Sequence, residues 1–71
     1  MYPNLKAEMA RKGITAIELV KALPDNVKMA ASTFSQKFNG KFAFTLDEAD
    51  AIRSILGVEM SIDELFTKVE E

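Results

Sequence analysis

Apolar residues recur along this chain at the three- and four-residue spacings of helices that face a common core. Leu5 and Met9 are four apart, and Ile17 (or Ala16), Val20 and Leu23 share a face. Val27, Ala30 or Ala31, Phe34 and Phe38 form one stripe, and Ala49, Ile52, Ile55 and Leu56 form another. Start signals fall just ahead of three of these segments. Thr15-x-x-Glu18, Thr45-x-x-Glu48 and Ser61-x-x-Glu64 each fit the capping box. There the hydroxyl accepts from the third residue's amide and the glutamate reaches back to the cap's own N–H. Stops agree with starts: Gly13 follows Arg11-Lys12, Gly57 follows Ile55-Leu56, and Pro24 disfavours helical geometry at Leu23. The pattern predicts helices near Leu5–Lys12, Ala16–Leu23, Val27–Phe38, Leu46–Leu56 and Ile62–Val69. Only Phe42-Ala43-Phe44 hints at extended chain, and three residues make no sheet. The expected fold class is all-α, a compact bundle of about five short helices forming one domain over residues 1–71.

Composition narrows the chemistry. A chain of 71 residues is one domain at most, and at this length only about 60% of the unfolded surface is buried. There is no cysteine and no histidine, which removes disulfides, the usual zinc ligands and Cys–His or Ser–His nucleophiles. The apolar share of 48% is that of a globular chain. No apolar run approaches the roughly 20 residues of a membrane span, and nothing reads as a secretory leader. A soluble, cytoplasmic protein is therefore expected, with no membrane partner. The acid clusters Asp47-Glu48-x-Asp50 and Asp63-Glu64 invite an acid–base reading. Yet each opens a predicted helix, where carboxylates favour the positive end of the dipole. Gly13, Gly40 and Gly57 are isolated, so no phosphate-cradling loop exists. The expectation is a non-enzyme with no metal, no cofactor and no small-molecule substrate.

The net charge of −2 conceals an uneven distribution. Residues 1–41 carry seven Lys/Arg against three acids, hence +4, and residues 42–71 carry two against eight, hence −6. Such asymmetry fits a polyanion-facing half, although a charge run taken alone is equally a solvated helix face. In the third predicted helix, Ser32 and Gln36 lie four apart and project together, with Lys28 one turn earlier and Lys37 adjoining. The Gln amide both donates and accepts, matching adenine N7 and N6 in the major groove. Asn39, the Gly40 amide and Lys41 follow at the helix end, where donors suit a phosphate. Polar residues opposite an apolar stripe also occur on any amphipathic helix, and Asn-Gly is a common helix exit. Leu19, Phe38 and Ile52 are expected in the core. Phe42 and Phe44 read as core plugs or a dimer contact, Met29 and Met60 as gap fillers, and Arg11 and Lys12 as helix-end charges.

The run Arg11-Lys12-Gly13-Ile14-Thr15, completed by Glu18-Leu19, resembles the lambda-repressor-like (Cro/repressor, XRE-type) helix-turn-helix family. So does Ser32-Thr33-Phe34-Ser35-Gln36-Lys37-Phe38-Asn39-Gly40-Lys41, which is similar to the end of that family's recognition helix and its exit. Phe44-Thr45-Leu46-Asp47-Glu48-Ala49 and Leu65-Phe66 resemble small phage-type members, so the likeness covers nearly the whole chain. It implies a homodimer on double-stranded DNA with one recognition helix per major groove, acting as a transcriptional regulator or repressor. Carried over, Ala31, Ser32, Thr33 and Gln36 fall at or beside base-reading positions. Thr15, Asn39 and Lys41 fall at phosphate positions, and Lys28 and Lys37 add cations expected at phosphates.

Two departures bear on that expectation. Ala16 and Ala31 stand where family members often carry Gln. Pro24-Asp25-Asn26-Val27-Lys28-Met29 stands where the family has a tight turn, usually of 3–4 residues, and aligned to the family the chain here is roughly four residues too long. The extra length, about one helical turn or ~6 Å, allows two paths. Either the recognition helix is extended at its start and capped by Asp25 or Asn26, or the insertion lies outside a helix beginning near Ala30. Val27 continuing the Phe34 stripe favours extension. The rival function is a protein-interaction module or antirepressor on a helix-turn-helix frame that no longer binds DNA, using Phe42–Phe44 and the acidic half.

Overall fold

Hydroxyl caps begin three of the helices. Thr15 and Thr45 accept from the N–H of Glu18 and Glu48 at 3.3 and 3.2 Å. Each glutamate accepts in return from its cap's own N–H, at 3.2 and 2.8 Å. Ser61 accepts from Glu64 N–H at 3.2 Å and donates its hydroxyl to the Glu64 carboxylate at 3.3 Å. The computed structural model describes residues 2–68. Its helices are α1 (Pro3–Lys12), α2 (Ala16–Ala22), α3 (Ala31–Phe38), α4 (Leu46–Leu56) and α5 (Ile62–Leu65), with one 3-10 turn at Asp25–Val27. Among the described residues there is no strand, and no helix is long and apolar enough to cross a membrane.

Left-handed glycines close α1 and α4, Gly13 at φ 67° and Gly57 at φ 65°. The first helix starts two residues before the expected Leu5, with Pro3 at a position whose missing N–H costs nothing. Asn4 Nδ2 then donates to Glu64 C=O at 2.7 Å, tying α1 to α5. The fifth helix stops at Leu65, short of the expected Val69, which lies outside the described residues. Thr67 ends it by donating its hydroxyl to Asp63 C=O at 2.9 Å, a local alternative to a further helical turn.

The third helix departs most from expectation. It begins at Ala31 and not at Val27, so the insertion does not extend it. After Pro24 the chain makes the 3-10 turn, with Val27 N–H donating to Pro24 C=O at 3.0 Å, and runs extended through Lys28–Ala30. Val27 is nonetheless buried. The turn delivers it to the same core as Phe34, so the stripe that suggested a continuous helix records shared burial by two separate elements.

All five helices contribute to one core, in which Leu5, Leu19, Ile52 and Leu65 have no exposed surface and Phe34 and Leu56 have 2%. Phe44 is the hub of an aromatic cluster, with ring centroids 5.4 Å from Tyr2, 5.2 Å from Phe66 and 5.8 Å from Phe34. Phe38 is half-buried and stacks on Phe34 at 5.9 Å. Phe42 is not a core plug: the chain turns so that Phe44 enters and Phe42 stays 52% exposed. The Cα radius of gyration is 10.9 Å, against about 11 Å for a compact domain of this length.

Candidate nucleic-acid interface

Burial of Phe34 fixes which side of α3 faces outward. With Phe34 against α2 and the aromatic cluster, Ser32, Ser35 and Gln36 are exposed on the opposite side, and Asn39 continues the face past the helix end. Ala31 and Thr33 are half-buried at its edge. Ser35 belongs to this surface although the family carry-over passed it by; its three-residue spacing from Ser32 is the signal that places it there. Unlike α2, α4 and α5, α3 has an N-cap, Ala30, with no side chain to accept from its first turn.

The exit from α3 is a Schellman motif. Gly40, at φ 88°, donates its N–H to Lys37 C=O at 3.0 Å, and Lys41 N–H donates to Gln36 C=O at 2.9 Å. The Gly40 amide, expected to be available for a phosphate, is thus already committed within the chain. What the exit leaves outward is the Asn39 side chain and the exposed Lys41.

Two lysines assigned to phosphates have other partners. Lys37 Nζ lies 2.6 Å from both carboxylate oxygens of Glu48, with 15% and 12% of the two side chains exposed. Burial pushes the Glu48 carboxyl up, but hydrogen bonds from Lys37 and Thr45 and the Lys37 charge outweigh it. The Glu48 pKa therefore lies below its ordinary 4.5. Lys28 no longer lies one turn before Ser32 on a shared helix. Its ammonium reaches back to Lys21 C=O at 3.1 Å and Leu23 C=O at 3.4 Å, capping the negative end of α2. Thr15 is exposed, but its hydroxyl serves the capping box of α2, accepting from Glu18 N–H and donating to the Glu18 carboxylate at 3.0 Å.

Away from α3, sequence inspection missed Glu8, 4% exposed and paired with Arg11 at 3.1 Å. Its spacing of three from Leu5 on the inner face of α1 was the available signal, overridden by its charge. Arg11 is thereby an ion-pair partner as well as a helix-end cation. Arg53 Nε donates to Met60 C=O at 2.6 Å and holds the α4–α5 connection. The arrangement as a whole sets a hydrogen-bonding face on α3 with a cation at its exit, braced from behind by Lys37–Glu48. Comparison with protein-family models, curated proteins and solved structures gives no match to this chain.

Proposed function

We infer that the outer face of α3 docks in the major groove of duplex DNA and that the protein is a sequence-specific, repressor-type transcriptional regulator. The observation that carries this is the makeup of the surface. From Asn26 to Leu46 the chain holds three lysines and no acid, and within that stretch Ser32, Ser35, Gln36 and Asn39 form one exposed hydrogen-bonding face. Serine pairs with several base edges, Gln36 suits adenine, and the half-buried Ala31 can meet a thymine methyl. Thr33 sits at the edge of the same face, and Lys41 supplies the phosphate contact at the exit. Five acids lie in α4 and α5, and none lies in α3. In this role the protein is a binder and not an enzyme.

With Lys37 paired to Glu48 and the exposed Lys28 engaged at the end of α2, few cations of this surface remain for the backbone, so one copy binds weakly and two half-sites are needed for useful affinity. Fluorescence anisotropy with a random duplex at about 20 mM salt tests the footprint. Binding that fades as salt rises is expected, and no binding at that salt would sink the proposal. On a selected site, Gln36→Ala should cost about 1–3 kcal/mol, and about nothing on random duplex. Equal losses on both remove Gln36 from base reading. The competing reading, an interaction module that no longer touches DNA, draws on Ala16 and Ala31 in place of Gln and on the net charge of −2. It predicts flat anisotropy at every salt.

A further inference from the structure

At the exit of α3 one dipeptide carries a reactivity of its own. Asparagine is among the thermolabile residues, and its neighbour decides how fast it reacts. Of the chain's asparagines, Asn4 precedes Leu5, Asn26 precedes Val27, and only Asn39 precedes a glycine. Gly40 sets no side chain beside its own amide nitrogen, the backbone atom able to close a five-membered ring on the Asn39 carboxamide. Asn39 is exposed, so water reaches whatever forms there. The other two are hindered: Asn4 Nδ2 donates to Glu64 C=O at 2.7 Å, and Val27 is buried and β-branched.

The folded exit keeps this ring from closing. Gly40 N becomes a nucleophile as it gives up its proton, and that proton is donated to Lys37 C=O at 3.0 Å. Lys41 N–H follows onto Gln36 C=O at 2.9 Å. At Asn39 ψ is 1°, so Gly40 N eclipses the Asn39 backbone nitrogen, whereas ring closure requires it to eclipse Cβ. Both hydrogen bonds of the Schellman motif must break before the Cα–C bond of Asn39 can turn. They are the last bonds of a short helix, followed by the exposed Lys41 and Phe42. Such ends open locally at a free energy well below that of global unfolding.

We propose that Asn39 is a site of spontaneous deamidation, gated by opening of the α3 exit. On opening, Gly40 N attacks Asn39 Cγ and loses its proton, Nδ2 leaves as ammonia, and a succinimide joins the two residues. Water then adds at either ring carbonyl and breaks its bond to nitrogen, leaving aspartate or isoaspartate at position 39. One water enters and one ammonia leaves, with nothing oxidised or reduced. Either product sets a carboxylate on the face that carries Ser32, Ser35 and Gln36, and isoaspartate also adds a carbon to the backbone of the exit. If that face reads DNA, as proposed above, the new charge opposes the phosphates and weakens binding on every sequence.

The chemistry is tested without DNA, by incubating the chain in mildly alkaline buffer, folded and in guanidinium chloride, and mapping its peptides by mass. Position 39 should exchange NH for O ahead of Asn4 and Asn26 in both states. In the folded chain it should do so about tenfold or more slowly than in the unfolded one, an opening free energy of about 1.4 kcal/mol or more. Asn39→Gln should abolish the change. Phe38→Ala removes the ring stacked on Phe34 beside the exit and should bring the folded rate closer to the unfolded one. Conversion of Asn4 or Asn26 ahead of Asn39 removes the site. Equal rates in folded and unfolded wild type remove the gate, as does a cooperatively folded Phe38→Ala variant that keeps the wild-type rate. The consequence for DNA is read separately: Asn39→Asp should weaken binding to random and selected duplex alike, by about tenfold at low salt. Unchanged binding by that variant sinks the consequence and leaves the chemistry standing. An Asn39 that never converts sinks the site and leaves the functional reading standing.

Discussion

Lys37 and Glu48 meet at 2.6 Å with 15% and 12% of their side chains exposed, which is enough burial to make loss of either partner costly. Glu48→Gln keeps the shape but leaves a largely desolvated ammonium without its counter-charge. It is expected to destabilise the fold by about 2 kcal/mol, a drop in Tm of roughly 10 °C. The same pair carries acid sensitivity. Since the folded-state pKa of Glu48 is depressed below 4.5, the unfolded chain takes up the proton first. The contribution is complete above the ordinary value and drains as pH falls through the folded one. Urea titrations at pH 7 and at about pH 3 should find wild type and Glu48→Gln well separated at the first and the gap narrower at the second. An equal gap at both rejects the pair as the source. Lysine at position 37 was legible as a cation but not as a buried partner. Glu48 was legible as the closing residue of a capping box, and that role it does fill.

Among the elements, the segment from Pro24 to Ala30 decides what α3 can present. Its 3-10 turn returns Val27 to the core and sends the Lys28 ammonium to the end of α2. Lys28 and Lys41, alike in the sequence as cations flanking a recognition helix, are thereby separated in role. Lys28→Ala should cost about 0.5–1 kcal/mol in thermal stability by uncapping α2 and leave the salt dependence of DNA binding where it was. Lys41→Ala should do the reverse, lowering the slope of log K against log salt by about one while the melt stays put. Anisotropy at several salt concentrations, paired with melting curves, separates the two. If the Lys28 variant takes the slope down as far as Lys41 does, its ammonium leaves the helix end to reach a phosphate. The capped helices were readable because their signals are local, and α4 runs over the expected residues, Leu46–Leu56. The entry to α3 was not, because apolar spacing cannot distinguish one long helix from a helix and a turn that bury residues in the same core.

At the scale of the whole molecule, a domain of 71 residues has a net stability of roughly 4–10 kcal/mol. No cross-link adds to it. Phe34 ties the core to α3, for it is 2% exposed, stacks on Phe38 and touches the Phe44 hub. Phe34→Ala is expected to cost about 3–5 kcal/mol, most of that margin. Circular dichroism should show a broad, early melt or no cooperative melt, and amide dispersion should collapse with it. A cooperative melt within a few degrees of wild type contradicts this placement of the core. The charge asymmetry acts at this scale too: no acid falls between Asn26 and Leu46, so α3 itself contributes no carboxylate.

What the chain determined unaided was its helix inventory, because caps, stops and apolar periodicity each act within a few residues of themselves. Thr15, Thr45 and Ser61 begin helices where their glutamates stand three residues on, and Gly13 and Gly57 end them. Tertiary structure alone decided which polar groups remained available. Long lysine side chains reach several ångströms and settle on whatever carboxylate or carbonyl the packed helices bring near. Lys37 thus became a brace and Lys28 a cap, while Lys41 stayed in solvent. Of Phe42 and Phe44, two positions apart and of the same hydrophobicity, only the bundle's shape could choose Phe44 for the aromatic cluster and leave Phe42 outside.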